Sequence, residues 1–280
     1  MKTIKISILV LAAILFFSCD EFKEDELITL VGRELAQDIE ITKTQDFQAV
    51  YLEEHTGWGC NNCPRAAEKL EELSPLFGEK LIAVAIHAGS LSEPNRSNRF
   101  LDLRTDYGNS IAQAFGINAR PMGVINRKND LIQYNDWESH LNNELSLSQH
   151  SVNINMGVKE ESNEILVGLE FEFLQSSQDN FLISVFVVED NIIGIQRDGE
   201  DKVEDYVFNN VLRQNPLINL PLNTESVEQG QTIRKNYKID IAINEEGRQF
   251  WNLSNCRIIV LLTEKISGKV VQANQIKIRN

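Results

Sequence analysis

Two cysteines set two residues apart, in Thr56-Gly57-Trp58-Gly59-Cys60-Asn61-Asn62-Cys63-Pro64, constrain this chain more than any other stretch. Before them, Phe47 to Leu52 is rich in strand formers. After them, Ala66, Ala67, Leu70 and Leu73 recur at helical spacing, with Glu68, Glu71 and Glu72 on the wet side. Gly57 and Gly59 suit a loop, and Pro64 suits the first turn of a helix, where its missing N–H is not needed. Ser74-Pro75 and Gly78 are expected to close that helix. A cysteine at a helix start meets unpaired N–H groups and the positive end of the dipole, and both favour the thiolate. The pair therefore points to thiol–disulfide chemistry at a strand-to-helix junction.

The following elements keep the same rhythm. Leu81 to His87 is a short continuous apolar run, expected as a buried parallel strand, which makes a βαβ unit with the helix before it. Residues 89–108 form a polar insertion. Ser110 to Phe115 is expected as a helix stopped by Gly116, Lys128-Asn129-Asp130 as a turn and Leu131 to Tyr134 as a strand. Asp136 to Leu147 is expected as a helix with Asp136 as its N-cap.

With Arg120-Pro121 between helix and strand, the order becomes β–Cys-x-x-Cys–α–β–α–Pro–β–β–α, and residues 47–148 resemble a thioredoxin-like α/β domain. The resemblance implies that Cys60 is the nucleophile and Cys63 the resolving thiol. It implies that Pro121 is cis and faces the pair, and that Glu54 holds the place of a buried acid assisting proton transfer. An edge glutamate facing solvent is the other reading of Glu54. Two features depart from the family. Asn61-Asn62 replaces the usual Gly-Pro, and Arg120 stands where a small or β-branched residue is usual. A cation at Arg120 would stabilise a thiolate; a surface arginine narrowing peptide access is the alternative.

The chain begins with an address. Lys2 and Lys5 precede an apolar run from Ile6 to Phe17 that ends in Ser18-Cys19. The run is short of the roughly 20 residues that cross a bilayer, so residues 1–18 are expected as a signal peptide. The small residue before Cys19 suggests a lipoprotein signal with Cys19 as the acylated residue; an ordinary cleaved signal is the alternative. Residues 19–46 then form an acidic tether and leading arm, including a short strand or extended segment at Leu27 to Val31. The lysine and acids at 23–26 resemble a surface-export signal and suit a charged spacer equally. The formal net charge of −14 disfavours nucleic acid and anionic lipid heads, leaving membrane contact to the lipid on Cys19. Four cysteines are too few for a disulfide-stapled framework, and Cys256, in an apolar strand pattern, is expected as a buried inert thiol.

From residue 150 onward the pattern changes to about seven short strands with no sustained helical period. Residues 150–280 are therefore expected as an antiparallel, immunoglobulin-like β-sandwich, with Tyr206 to Arg213 as a short helix in a long connection. The acidic stretch Asp198-Gly199-Glu200-Asp201 lacks the EF-hand pattern and is expected as a solvated loop. His55 and His87 with the two cysteines make a conceivable zinc set, but the spacing of common zinc sites is missing. From the lipoprotein signal to Tyr206-Val207-Phe208-Asn209-Asn210-Val211-Leu212-Arg213, the chain looks like the 28-kDa outer-membrane-protein family of Bacteroidetes lipoproteins.

Together these features suggest a lipid-anchored envelope thiol–disulfide oxidoreductase, in the outer membrane on the periplasmic side or at the cell surface. It would need no dissociable cofactor and would act on a protein thiol or disulfide substrate with a separate redox partner. The alternative is a structural or binding lipoprotein on a thioredoxin scaffold, in which Cys60–Cys63 is only a local disulfide.

Overall fold

The computed structural model describes residues 32–162, 164–240 and 251–279. The signal peptide, Cys19, the acidic tether and the expected strand at Leu27 to Val31 lie outside the described residues. The elements in chain order are β1 (Arg33–Glu34), β2 (Val50–Thr56), α1 (Cys63–Phe77), β3 (Leu81–His87), α2 (Asp106–Ala114), β4 (Met122–Ile125) and α3 (Trp137–Leu147). They continue as β5 (Val152–Glu161), β6 (Glu164–Phe173), β7 (Phe181–Glu189), β8 (Ile192–Asp198), β9 (Asp201–Phe208), β10 (Val211–Pro221), β11 (Thr232–Asp240), β12 (Cys256–Glu264) and β13 (Val270–Lys277). The fold is β-rich with three helices among the described residues.

Every residue of β2 and β3 is buried, as a strand covered on both faces requires. They pair in parallel from Val50↔Leu81 to Thr56↔His87, and β4 adds antiparallel to β2 from Leu52↔Ile125 to His55↔Met122. Leu52, Ala66, Leu70, Leu73, Trp137 and Leu141 form the core between this sheet and helices α1 and α3.

Several local expectations are corrected. Helix α1 runs through Pro75 and ends at Phe77, with Gly78 (φ 56°) as its terminus. A proline in the last turn removes only one backbone hydrogen bond, so it does not stop the helix there. Helix α2 starts four residues earlier than its apolar spacing suggests, because Thr105 Oγ1 accepts from the Gly108 N–H at 2.8 Å. Asp136 precedes α3 but its side chain caps nothing. The expected strand at Leu131 to Tyr134 is reduced to one bridge, Gly123↔Ile132. Tyr206 to Arg213 is no helix: it is the end of β9, a turn at Asn209–Asn210 and the start of β10.

The sheets cross residue 150. A seven-stranded sheet runs β13-β12-β7-β10-β3-β2-β4, and a four-stranded sheet runs β1-β11-β6-β5. The joint between the chain's two halves is β10 against β3, parallel, at Val211↔Ala85, with the Ala85 N–H donating to Asn210 O at 2.7 Å. Side chains of the two sheets, among them Ile154, Val167, Phe171, Ile183, Val185 and Val260, meet in one apolar core. A second core crosses the joint and combines Tyr51, Ile82, Val84 and Ile86 with Phe186, Val188, Ile259 and Leu261.

The leading arm folds against the later half of the chain. β1 pairs with β11, and the Thr42 and Lys43 N–H groups both donate to Met156 O. The arm passes so close to β5 that a Cβ on Gly157 would lie 1.8 Å from Glu40 O. Among the described residues the remaining two strands, β8 and β9, pair only with each other.

Candidate functional site

The Cys60–Cys63 pair sits where β2 turns into α1. Cys63 is the first helical residue, and Cys60 lies in the turn before it. The turn is tied to the 90–92 segment: the Gly59 N–H donates to Leu91 O at 2.8 Å. Gly57 permits this approach, since a Cβ there would meet Leu91 O and Ser92 Oγ at 2.7 Å. Trp58 is buried and its Nε1–H donates to Glu93 O at 2.8 Å. Cys60 and Cys63 form a disulfide, with Cα atoms 5.4 Å apart. Both cysteines are inside the protein, 4% and 2% exposed, while Asn61 and Asn62 between them face solvent.

The covering element comes from the later half of the chain. Strand β8 lies along the motif, with the Arg197 N–H donating to Trp58 O at 2.8 Å and the Gly199 N–H to Asn61 O at 2.9 Å. The Gln196 Nε2–H₂ group donates to Cys60 O at 3.0 Å. Trp58, Leu103, Ile192, Phe208 and Val211 make a small apolar cluster beneath the hairpin. At its tip Asp198 pairs with Arg65, and along β9 Glu204 pairs with Arg99. The acidic 198–201 stretch is thus a hairpin turn.

Strand β2 sends its side chains alternately to the two sheet faces. Glu54 and Thr56 point toward α1 and line a cavity of ≈ 30 Å³ together with Cys63, His87, Tyr206 and Phe208. Glu54 is a buried acid, not an edge residue. Burial raises its pKa to about 8, opposed by a hydrogen bond from Thr56. His87, also buried, has its pKa pushed down to about 3, first by burial and then by Arg213. Among the described residues its Nδ1 has no hydrogen-bond partner, and its ring packs edge-on to Phe208.

On the opposite face, Glu53 is fully buried and takes an ion pair from Arg127 at 2.7 Å. Tyr51 donates to the same carboxylate at 3.0 Å, and the Arg127 guanidinium donates to Tyr107 Oη at 2.6 Å. The same guanidinium lies over the rings of Tyr51, Tyr107 and Phe186. Nothing local in the sequence links residue 127 to residue 53, so this pair exists only through the fold. His55 shares this face, its pKa pushed down to about 4 by burial.

The register places Thr56 beside His87 and His55 beside Ile86, so the two histidines leave opposite faces. With both cysteines in a disulfide, the four residues do not converge as a zinc set. Among the described residues no group of three His, Cys, Asp or Glu side chains is placed to hold a metal.

The Arg120–Pro121 peptide bond is cis. It lies at the start of β4, whose Met122 pairs with His55, so the proline loop is at the sheet end that carries the cysteine motif. Arg120 is partly buried, its Nε without a hydrogen-bond partner among the described residues, and its guanidinium packs against Gly89. Cys256 is buried, with its thiol pushed up to about 12 by burial, which matches an inert thiol.

The chain resembles solved structures at low identity. HBP35 of Porphyromonas gingivalis aligns with a TM-score of 0.63 and 11% identity, over 84% of this chain and 76% of that one. A structural-genomics protein of Agrobacterium tumefaciens aligns with a TM-score of 0.50 and 15% identity, over 84% and 97% of the two chains. Both likenesses concern the fold alone. No curated protein matches. No helix among the described residues is long and apolar enough to cross a membrane. Residues 108–280 match the family model described as outer membrane protein Omp28. That match spans more than half of the sequence and covers β4 through β13, and by it this chain belongs to the Omp28 family of outer-membrane lipoproteins.

Proposed function

We propose that this protein is a structural or binding lipoprotein, anchored by a lipid on Cys19, in which Cys60–Cys63 is a local disulfide. Residues 47–148 would be its thioredoxin-like unit and residues 150–280 its β-sandwich. One observation carries this reading: both sulfur-bearing residues are buried, beneath a hairpin that hydrogen-bonds to the turn between Trp58 and Asn61. Exchange requires a thiolate to reach a sulfur in line with the bond, and a buried disulfide resists that approach. The bond then fixes the turn that positions α1 and the docked hairpin. The test is to follow insulin reduction with the full-length protein and a supplied dithiol. No turnover above the reagent alone is expected, and Cys60→Ser should behave like wild type. A wild-type rate well above Cys60→Ser would overturn the reading.

A second reading, the envelope thiol–disulfide oxidoreductase, is favoured by one feature. Glu54 is buried on the face that carries Cys63, with its pKa raised by burial to about 8. A protonated carboxyl there could supply the proton that a leaving Cys63 thiolate needs, as the thioredoxin-like resemblance implies. Cys60 would be the nucleophile, Pro121 and Arg120 would shape and charge the approach, and a protein substrate and a redox partner would be required. A reduction potential in the range of known oxidoreductases, above about −300 mV, would favour this reading over a structural bond.

A further inference from the structure

The β8–β9 hairpin is built differently from the strands around it. Among the described residues it pairs with no other strand, and it is inserted between β7 and β10, which are antiparallel neighbours in the seven-stranded sheet. Its two stems are tied to each other at the base by side-chain oxygens of one accepting from backbone N–H groups of the other. The Asn191 N–H donates to Asn209 Oδ1 at 3.0 Å, and the Asn210 N–H to Asp190 Oδ1 at 2.7 Å. Asn191 and Asn210 both have left-handed backbone, φ 59° and 60°. Arg257 holds this base to the sheet by bonding Asp190 and Asn210. Beyond the fixed base, the contacts to the cysteine motif are few and separable. They are two backbone hydrogen bonds, the Gln196 amide, the Arg65–Asp198 pair and the apolar cluster around Trp58. Away from the motif the hairpin also meets the 99–101 segment, through the Arg99–Glu204 pair and Leu101 packed on Gly194. A two-stranded ribbon has low stability of its own, so it can open as a unit when these side contacts break.

We propose that the β8–β9 hairpin is a lid that sets how fast an external dithiol reaches the Cys60–Cys63 disulfide. The inference rests on the reading of that bond as local and shielded, and it adds what does the shielding. Swinging the hairpin about its Asn stems strips Tyr206 and Phe208 from the cavity they share with Cys63, Glu54 and His87. It also frees the Trp58, Cys60 and Asn61 carbonyls. With the lid open, one thiolate of the dithiol attacks Cys60 Sγ. The Cys60–Cys63 bond breaks, and Cys63 leaves as a thiolate that takes up a proton. The second thiol of the reagent loses its proton and attacks the mixed disulfide, closing the reagent's own disulfide and releasing Cys60. Two electrons pass from the dithiol to the pair.

The experiment is reduction of the full-length protein by dithiothreitol, quenched by alkylation and read by mass spectrometry, across a range of reagent concentrations. Ile193 and Val207 are register partners, so residues 194–206 can be replaced by Asn-Gly, a two-residue turn that closes such a pair. Wild type should show a rate that levels off with dithiothreitol, as expected when lid opening becomes limiting. The shortened protein should stay first-order in reagent and react about ten-fold faster or more. Gln196→Ala and Arg65→Ala keep the hairpin and should accelerate reduction by a smaller factor. Hydrogen exchange of the β2, β3 and α1 amides reports whether the body remains folded. Should the shortened chain lose that protection, the two point variants decide. Equal rates in wild type and in every variant that keeps a protected body overturn the lid. Fast wild-type reduction coupled to insulin turnover would instead overturn the proposed function, and the ratio of variant to wild-type rates would still test the lid.

Discussion

Glu54 and the two histidines show how burial turns into pH dependence. Glu54 titrates at about 8 in the folded chain against an ordinary value of 4.5. Between those values the folded state holds a proton that the unfolded state has lost, so this group lowers stability as pH rises. His55 and His87 have the opposite sign. Their folded values, about 4 and about 3, lie below the ordinary 6.5, so the unfolded state binds the extra protons and stability rises up to pH 6.5. Two rising contributions outweigh one falling contribution below pH 6.5, and only the falling one remains above it. The thermal midpoint should therefore peak near pH 6.5 and decline toward pH 8. Glu54→Gln should abolish the decline, which removes on the order of a few kcal/mol across its window. A wild-type midpoint that is flat between pH 6.5 and 8 would show that Glu54 titrates normally. On the opposite face, Arg127→Leu leaves Glu53 fully buried without its cation. Breaking one side of such a pair costs about 3–5 kcal/mol, measurable as a lower urea midpoint. Adding Glu53→Gln to Arg127→Leu should recover part of that loss, because the uncompensated charge is gone.

Strands and helices whose pattern is local were legible in the sequence, and contacts between distant segments were not. The order β2, α1, β3, α2, β4, α3 follows from apolar runs, helical spacing and breakers, and it emerges with shifted ends. Glu53 and Glu54 defeat strand alternation, which allows one buried and one exposed acid, because β2 is covered on both faces. The hairpin carries no strand signal, because β9 begins Asp201-Lys202-Val203-Glu204-Asp205, a polar stretch exposed on a two-stranded ribbon. The cysteine motif is a local pattern, yet the segment that buries it lies more than 130 positions later, where no spacing rule reaches. The arm is similar: nothing near residues 33–45 in sequence announces that they lie on β5 and β11. Gly157 exposes that docking to a test. In Gly157→Ala the new methyl would occupy the path of Glu40 O, backbone that cannot yield without moving the arm. Amides of residues 35–43 should exchange faster in this variant, while those of β12 keep their protection. Unchanged exchange along the arm would mean that it does not pack there in solution.

The two halves of the chain are joined more closely than a boundary near residue 150 implies. β3 is flanked by β2 from its own half and by β10 from the other, so the seven-stranded sheet has no free edge at the joint. The core that crosses it places Phe186, Val188, Ile259 and Leu261 in one cluster with Tyr51, Ile82, Val84 and Ile86. Each fully buried side chain of this kind contributes about 1.5–3 kcal/mol when removed from water. Uncovering even three of them would take away about 5–9 kcal/mol, comparable with the whole stability of an ordinary domain at about 5–15 kcal/mol. Neither half should then outlast the other during unfolding. Calorimetry of the soluble, anchor-free protein should show a single transition whose van't Hoff enthalpy equals the calorimetric enthalpy. A chain ended after residue 148 should fail to give a protected β3, since its edge and one of its faces lose their partners together. Two resolved transitions, or a stable 47–148 fragment with β3 amides as protected as in the full chain, would show instead that the joint is an ordinary contact between independent units.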